Sequence, residues 1–194
     1  MCCRSWGGYW MSNVNTRKLG DICTIVSGGT PSRSKLEYWN GGTISWIKIS
    51  NIKNKYVNES DEKITKLGLE ESSAKMLTKG TILYTIFATL GEVAILDIDA
   101  CTNQAIAGIN IKNTDILIND FLYYFLMSKK DYVNNIGRGV AQNNINMSIL
   151  RNIDIPLPPI DIQRKIVSNL DKVTHIMDLC NTILEKLDLL VKSQ

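Results

Sequence analysis

Few side chains in this sequence have the types and spacing that catalysis needs. His175 is the only histidine, so neither a zinc site nor a Ser-His or Cys-His relay is well supported. Cys2, Cys3, Cys23, Cys101 and Cys180 are odd in number and form no C-x-x-C pair. They read as reduced thiols of a cytoplasmic protein. Asp61-Glu62-Lys63 satisfies the loose D-x-K pattern of metal-dependent nucleases, but no upstream acidic partner stands out. Gly28-Gly29-Thr30 is not followed by the Gly-Lys-Ser/Thr of a phosphate loop, nor by a helical pattern. The expectation is a chain that catalyses nothing by itself and holds no metal or cofactor.

The chemistry that remains is recognition of an anion. The net charge of +3 is unevenly spread: between Arg17 and Lys55 seven basic residues face two acidic ones, while residues 161–194 carry five of each. A basic N-terminal third fits an electrostatic footprint for nucleic acid. Phosphates are held by cations, and base edges are read by Arg, Lys, Asn or Gln forks. The candidates are Arg33, Lys35, Lys48, Lys53 and Lys55, joined by Arg138, Gln142, Asn143 and Asn144 from a glycine-containing loop. Competing readings are a solvated surface for the lysines and a self-bonded loop for Gln142 and Asn143. Trp39 and Trp46 read as core anchors rather than base-stacking platforms.

These residues must be positioned by a sheet and its loops. Strand patterns cover residues 19–27, 43–49, 80–87, 93–96 and 105–111, separated by Gly or Asn turns. They follow one another instead of alternating with helices, which indicates an α+β domain with a mostly antiparallel sheet. A short helix is expected around residues 68–76. Another is expected over residues 121–132, capped by Asn119 and ending near Gly137; Asn146 caps one more short turn. No apolar run reaches the length of a membrane span.

The last stretch differs in kind. Pro158-Pro159 ends what precedes it, and residues 161–192 contain neither Gly nor Pro. Apolar residues then alternate at spacings of four and three: Ile166, Leu170, Val173, Met177, Cys180, Leu184, Leu187 and Val191. This is a coiled-coil seam carried for about four heptads, on a helix roughly 48 Å long. Ile176, Ile183 and Leu190 widen the stripe at the g positions, so the seam meets more than one partner or also packs on its own domain. The organisation expected is an N-terminal extension over residues 1–16, a globular domain over 17–155 and a spacer helix over 156–194.

In this order the motifs resemble those of a known family. Leu19-Gly20-Asp21-Ile22, Gly28-Gly29-Thr30-Pro31-Ser32 and residues 38–47 come first, then Thr102-Asn103-Gln104-Ala105-Ile106 and residues 121–126. Gly137-Arg138-Gly139-Val140-Ala141-Gln142 follows, and residues 155–167 run straight into the heptads. Together they cover about 175 residues and resemble the DNA-specificity subunit of type I restriction–modification systems. The resemblance implies a target-recognition domain that binds double-stranded DNA, and a spacer helix. It also implies partners in the methyltransferase and restriction subunits, which do the catalysis. The family's usual chain has two recognition domains and two helices, and this sequence has one of each. A second copy, or another specificity chain, pairing through the helix would restore the missing half; a recombination-donor fragment is an alternative. A coiled-coil interaction module without DNA binding is the rival class, and magnesium-dependent nicking through Asp61 is a third.

Overall fold

Strands dominate the first two thirds of the chain and helices the last third, in a computed structural model that describes residues 14–138 and 145–192. β1 (Thr16–Lys18) runs into one helical turn, α1 (Leu19–Ile22), and then β2 (Cys23–Ser27). The expected single strand over residues 19–27 is therefore split. Leu19 and Ile22 are spaced by three and both are buried, so this corner has helical rather than alternating periodicity.

A 3-10 turn at Leu36–Tyr38 precedes β3 (Ile44–Ile47), and another at Ile49–Asn51 precedes β4 (Tyr56–Val57), β5 (Glu62–Ile64) and α2 (Lys66–Glu70). Next come β6 (Ile82–Thr85), β7 (Val93–Leu96), β8 (Cys101–Thr102) and β9 (Ile106–Ile111). α3 (Asn119–Ser128), α4 (Lys130–Arg138), α5 (Met147–Arg151), β10 (Asp154–Pro156) and α6 (Ile160–Lys192) complete the described chain.

The central sheet has five strands in the order β2-β9-β6-β7-β4. Its pairs are antiparallel except β4 with β7. A three-stranded sheet, β5-β3-β8, joins an antiparallel to a parallel pair. β1 and β10 form a separate antiparallel pair. Sequence patterning misses β1, β4, β5, β8 and β10, because strands of two or three residues are too short to display an alternation.

Every residue of β6 and β7 is buried, because both faces of the central sheet are covered. Ile82, Tyr84, Val93 and Ile95 point into the larger core with residues of α1, α3 and α5. Leu83, Ala94 and Leu96 point into a smaller core with Ile47 of β3. The period of two sorts one strand into two cores.

The two glycines after β2 are explained by close approach. A Cβ on Gly28 would sit 2.2 Å from Asn103 O, and one on Gly29 would sit 2.3 Å from Ser73 C. The bare backbone donates from Gly28 N to Ile106 O at 3.0 Å and from Gly29 N to Thr102 O at 2.9 Å, and Thr30 bonds Gln104. The Gly-Gly-Thr and Thr-Asn-Gln motifs are thus two sides of one joint.

The helix expected over residues 121–132 is two helices, α3 and α4, meeting at Lys129. Asn119 does not cap α3; its amide donates to Gly80 O at 2.8 Å. Asn146 does cap α5, accepting from Ile149 N at 2.8 Å. The first pairing of the described chain lies at Thr16, opposite Pro156, so β1 and β10 clasp the domain at the root of α6.

Candidate nucleic-acid interface and helical seam

α6 is mounted on the domain by one side only. The side chain of Gln163 is 0% exposed. Its amide donates to Ile116 O and Pro158 O, both at 2.8 Å, and its carbonyl accepts from Ile118 N at 3.1 Å. Val167, one turn on, packs against the larger core. Asp171, another turn on, accepts from Tyr124 and from Lys55, the latter at 2.9 Å. Spacings of four put all three on one stripe.

The apolar residues of α6 lie elsewhere. At about 100° per residue, Leu170, Val173, Ile176, Met177, Leu179, Cys180, Ile183, Leu184, Leu187 and Val191 occupy roughly half the circumference. The middle of that arc is about 150° from the Gln163–Val167–Asp171 stripe. Met177 and Leu184 are each 60% exposed and Val191 is 74% exposed. Nearer the root the seam is partly covered, with Ile166 37% exposed and Leu170 half-buried. The heptad seam is therefore turned away from the domain that carries it. Of the two readings of the g row, packing on this domain is not met by Ile176 and Ile183, which are exposed.

The basic candidates fall into two groups. Lys55 belongs to the joint. Its ammonium lies 2.7 Å from Asp120 and 2.9 Å from Asp171, with the rings of Tyr124, Tyr123 and Tyr56 at 4.9, 5.5 and 5.6 Å. Burial disfavours the charge, but the hydrogen bonds that Lys55 donates to Asp120 and Asp171 outweigh it and hold the pKa above the usual lysine value. Burial likewise opposes the charged form of Asp171, and the bonds from Tyr124 and Lys55 still hold its carboxyl below the usual aspartate value. A cleft of about 520 Å³ opens beside this joint, with Lys53, Tyr124, Lys130 and Thr174 among its walls.

The second group surrounds β3. Arg33 lies 3.6 Å over the Trp39 ring and 4.9 Å over Trp46, and pairs with Glu62 at 2.5 Å. Lys48 reaches the same carboxylate at 2.6 Å. These two hydrogen-bonded cations hold Glu62 below the usual glutamate value. Lys35 donates to Tyr38 at 2.5 Å, and Tyr38 donates to Glu71 at 2.6 Å. Lys53 is exposed and, among the described residues, makes no ion pair. Trp46 is buried and donates to Gly29 O at 3.0 Å; Trp39 meets it edge-on at 5.1 Å. Both are anchors of the small core around β3. Gln142, Asn143 and Asn144 lie outside the described residues, as does the side chain of Arg138.

Among the described residues no cluster of three or more His, Cys, Asp or Glu side chains forms a metal site. His175 is exposed on α6. Burial pushes the thiols of Cys23 and Cys101 up to about 12 and about 11, so both stay protonated. Among the described residues no helix is long and apolar enough to cross a membrane. Sequence reasoning missed Gln163, Asp120, Asp171 and Glu62. A signal existed for α6: Gln163 and Asp171 flank Val167 at spacings of four, off the heptad stripe.

The described chain thus joins a globular domain, with basic residues around β3, to a helix whose apolar arc that domain leaves uncovered. The family model "Type I restriction modification DNA specificity domain" matches residues 11–189, and the chain belongs to that family. It is 33% identical over 183 residues to the specificity subunit of the type I restriction enzyme MjaIX of Methanocaldococcus jannaschii, spanning 90% of this chain and 42% of that protein. It is 28% identical over 180 residues to the EcoR124I/EcoR124II specificity subunit of Escherichia coli, spanning 90% and 43%. The HsdS subunit of Thermoanaerobacter tengcongensis has a similar fold, with a TM-score of 0.67 at 22% identity over 90% of this chain and 40% of that one. A chain from work on complex assembly and conformational transition of the type I R-M system gives 0.68 at 23%, over 90% and 42%. The chain thus spans less than half the length of the relatives it matches.

Proposed function

We propose that the protein is a non-catalytic DNA-recognition subunit whose globular domain binds one half-site of double-stranded DNA. Its helix α6 joins that domain to a second specificity element and to methyltransferase and restriction subunits. The observation that carries this reading is the direction of the apolar arc, which faces away from the only domain able to hide it within the described chain. Two such helices, packed antiparallel, form a two-fold pair. An α6 of 33 residues is about 50 Å long, enough to set two recognition domains one DNA turn of about 34–36 Å apart. A paired seam of a and d positions covers only part of an arc half a circumference wide. The flank formed by Ile176, Leu179 and Ile183 is left for the other subunits.

DNA contacts are assigned to Arg33, Lys35, Lys48 and Lys53 around β3, with Arg138, Gln142, Asn143 and Asn144 from the following glycine-containing loop. Arg33 and Lys48 share Glu62 in the absence of DNA, and a phosphate is a stronger competitor for both. The test is duplex binding as a function of salt. The chain with Arg33→Ala, Lys48→Ala and Lys53→Ala should lose about 0.9 units of log–log slope per phosphate contact removed, hence a slope shallower by about 2–3. An unchanged slope would remove these residues from the footprint.

A further inference from the structure

We infer that Lys55 is a positioning residue that fixes the angle of α6 on its domain, and so the gap between the two half-sites. This rests on the proposed pairing of two recognition domains. Lys55 sits between the β3 region and β4, Asp120 and Tyr124 belong to α3, and Asp171 belongs to α6. One ammonium thus ties three elements together, at 2.7 Å and 2.9 Å from two carboxylates. Only 21% of its side chain is exposed.

Asp171 is, among the described residues, the one position of α6 that forms an ion pair with the globular domain. Beyond it the helix passes beside the cleft walled by Tyr124, Lys130 and Thr174, with Thr174 against the Tyr124 hydroxyl, and from residue 175 on its described side chains are exposed. From Gln163 to Lys192 is about 44 Å of helix, so a tilt of about 4° about Gln163 moves the far end about 3 Å. That is close to one base-pair rise of about 3.4 Å. A Gln163 clamp alone is a pivot, because its three bonds converge within the first turn of α6. The Lys55–Asp171 contact, two turns further on, turns the pivot into a fixed bracket.

The test replaces the gene at its own locus with Lys55→Met or Asp171→Asn, and maps methylated bases by single-molecule sequencing of the genome. Lys55→Met keeps the stem among the tyrosines, and Asp171→Asn keeps the shape of an exposed helix position. The wild type should methylate a bipartite motif with one gap length. Each variant should keep both half-site sequences and add motifs with the gap changed by one base pair, at tenfold or more above the wild-type level. Lys130→Met, whose ammonium pairs with Glu92 on the same cleft without touching α6, should keep the single gap. A loss of folded protein lowers methylation at every motif alike and cannot create a new gap. A single unchanged gap in both variants, or no methylation by either, would overturn the role of Lys55. An absent bipartite motif in the wild type would instead sink the function proposed above.

Discussion

The two ends of α6 carry one heptad pattern and meet opposite fates. Near the root, Gln163, Val167 and Asp171 lock the helix to the domain through three hydrogen bonds, a core contact and an ion pair. Beyond Thr174 the described side chains are all exposed, including Ile176, Met177, Ile183, Leu184 and Leu187. The mount uses the polar side of the amphipathic helix and leaves the greasy side free. In an ordinary core helix the apolar stripe does the mounting. The reversal separates two jobs: polar groups orient the rod, and the apolar arc is left free for the partners proposed above.

Breaking the outer end should have the largest effect. Val173→Asp with Leu184→Asp puts two carboxylates into the proposed seam. Burying them unpaired costs several kcal/mol, and each 1.4 kcal/mol is about tenfold in affinity. Association through α6 should weaken more than 100-fold, with the thermal melt of the globular domain unchanged. An equal loss of domain stability would mean that the arc is part of the fold.

Breaking the root should be smaller and should show up as stability. Gln163→Ala leaves Ile118 N, Ile116 O and Pro158 O without their partner. At about 1–3 kcal/mol for an unsatisfied buried group, and with water able to reach part of the site, a loss of about 3 kcal/mol is expected in denaturant unfolding. A loss under about 0.5 kcal/mol would remove Gln163 from the mount.

How much of this was legible in sequence follows from the same contrast. The heptads, β3, β6, β7 and β9, and the α+β class were readable because period and turn residues are local signals. The mount was not readable, because Lys55 meets Asp171 across 116 residues of chain and Gln163 meets Ile116 and Ile118 across 47 and 45. The motifs behind the family resemblance were visible as strings, and their reason was not. Gly28-Gly29-Thr30 and Thr102-Asn103-Gln104 look like loop chemistry in sequence and prove to be two strips of backbone in contact. Lys55 looked like its basic neighbours because a charge count does not show where Asp120 and Asp171 will stand. The glycine-loop candidates from Gln142 to Asn144 lie outside the described residues.

The joint should also respond to pH in a defined window. Asp171 is held below the ordinary aspartate value, so its contribution is complete above about pH 4 and lost as acid titrates it in the folded chain. Lys55 is held above the ordinary lysine value, so its contribution is complete below about pH 10 and lost as base passes its folded value. The unfolding free energy of wild type minus Asp171→Asn should be flat between these limits and shrink outside them. With Asp171 47% exposed, the plateau should stay below about 1 kcal/mol.

Sedimentation equilibrium of the full chain at about ten micromolar, beside the Val173→Asp, Leu184→Asp chain, reaches the claim beneath all of these, that the outward arc needs a partner to hide it. The wild type should sediment as a dimer or larger species and the doubly substituted chain as a folded monomer. A wild type that stays monomeric and binds no dye specific for exposed apolar surface would contradict the account.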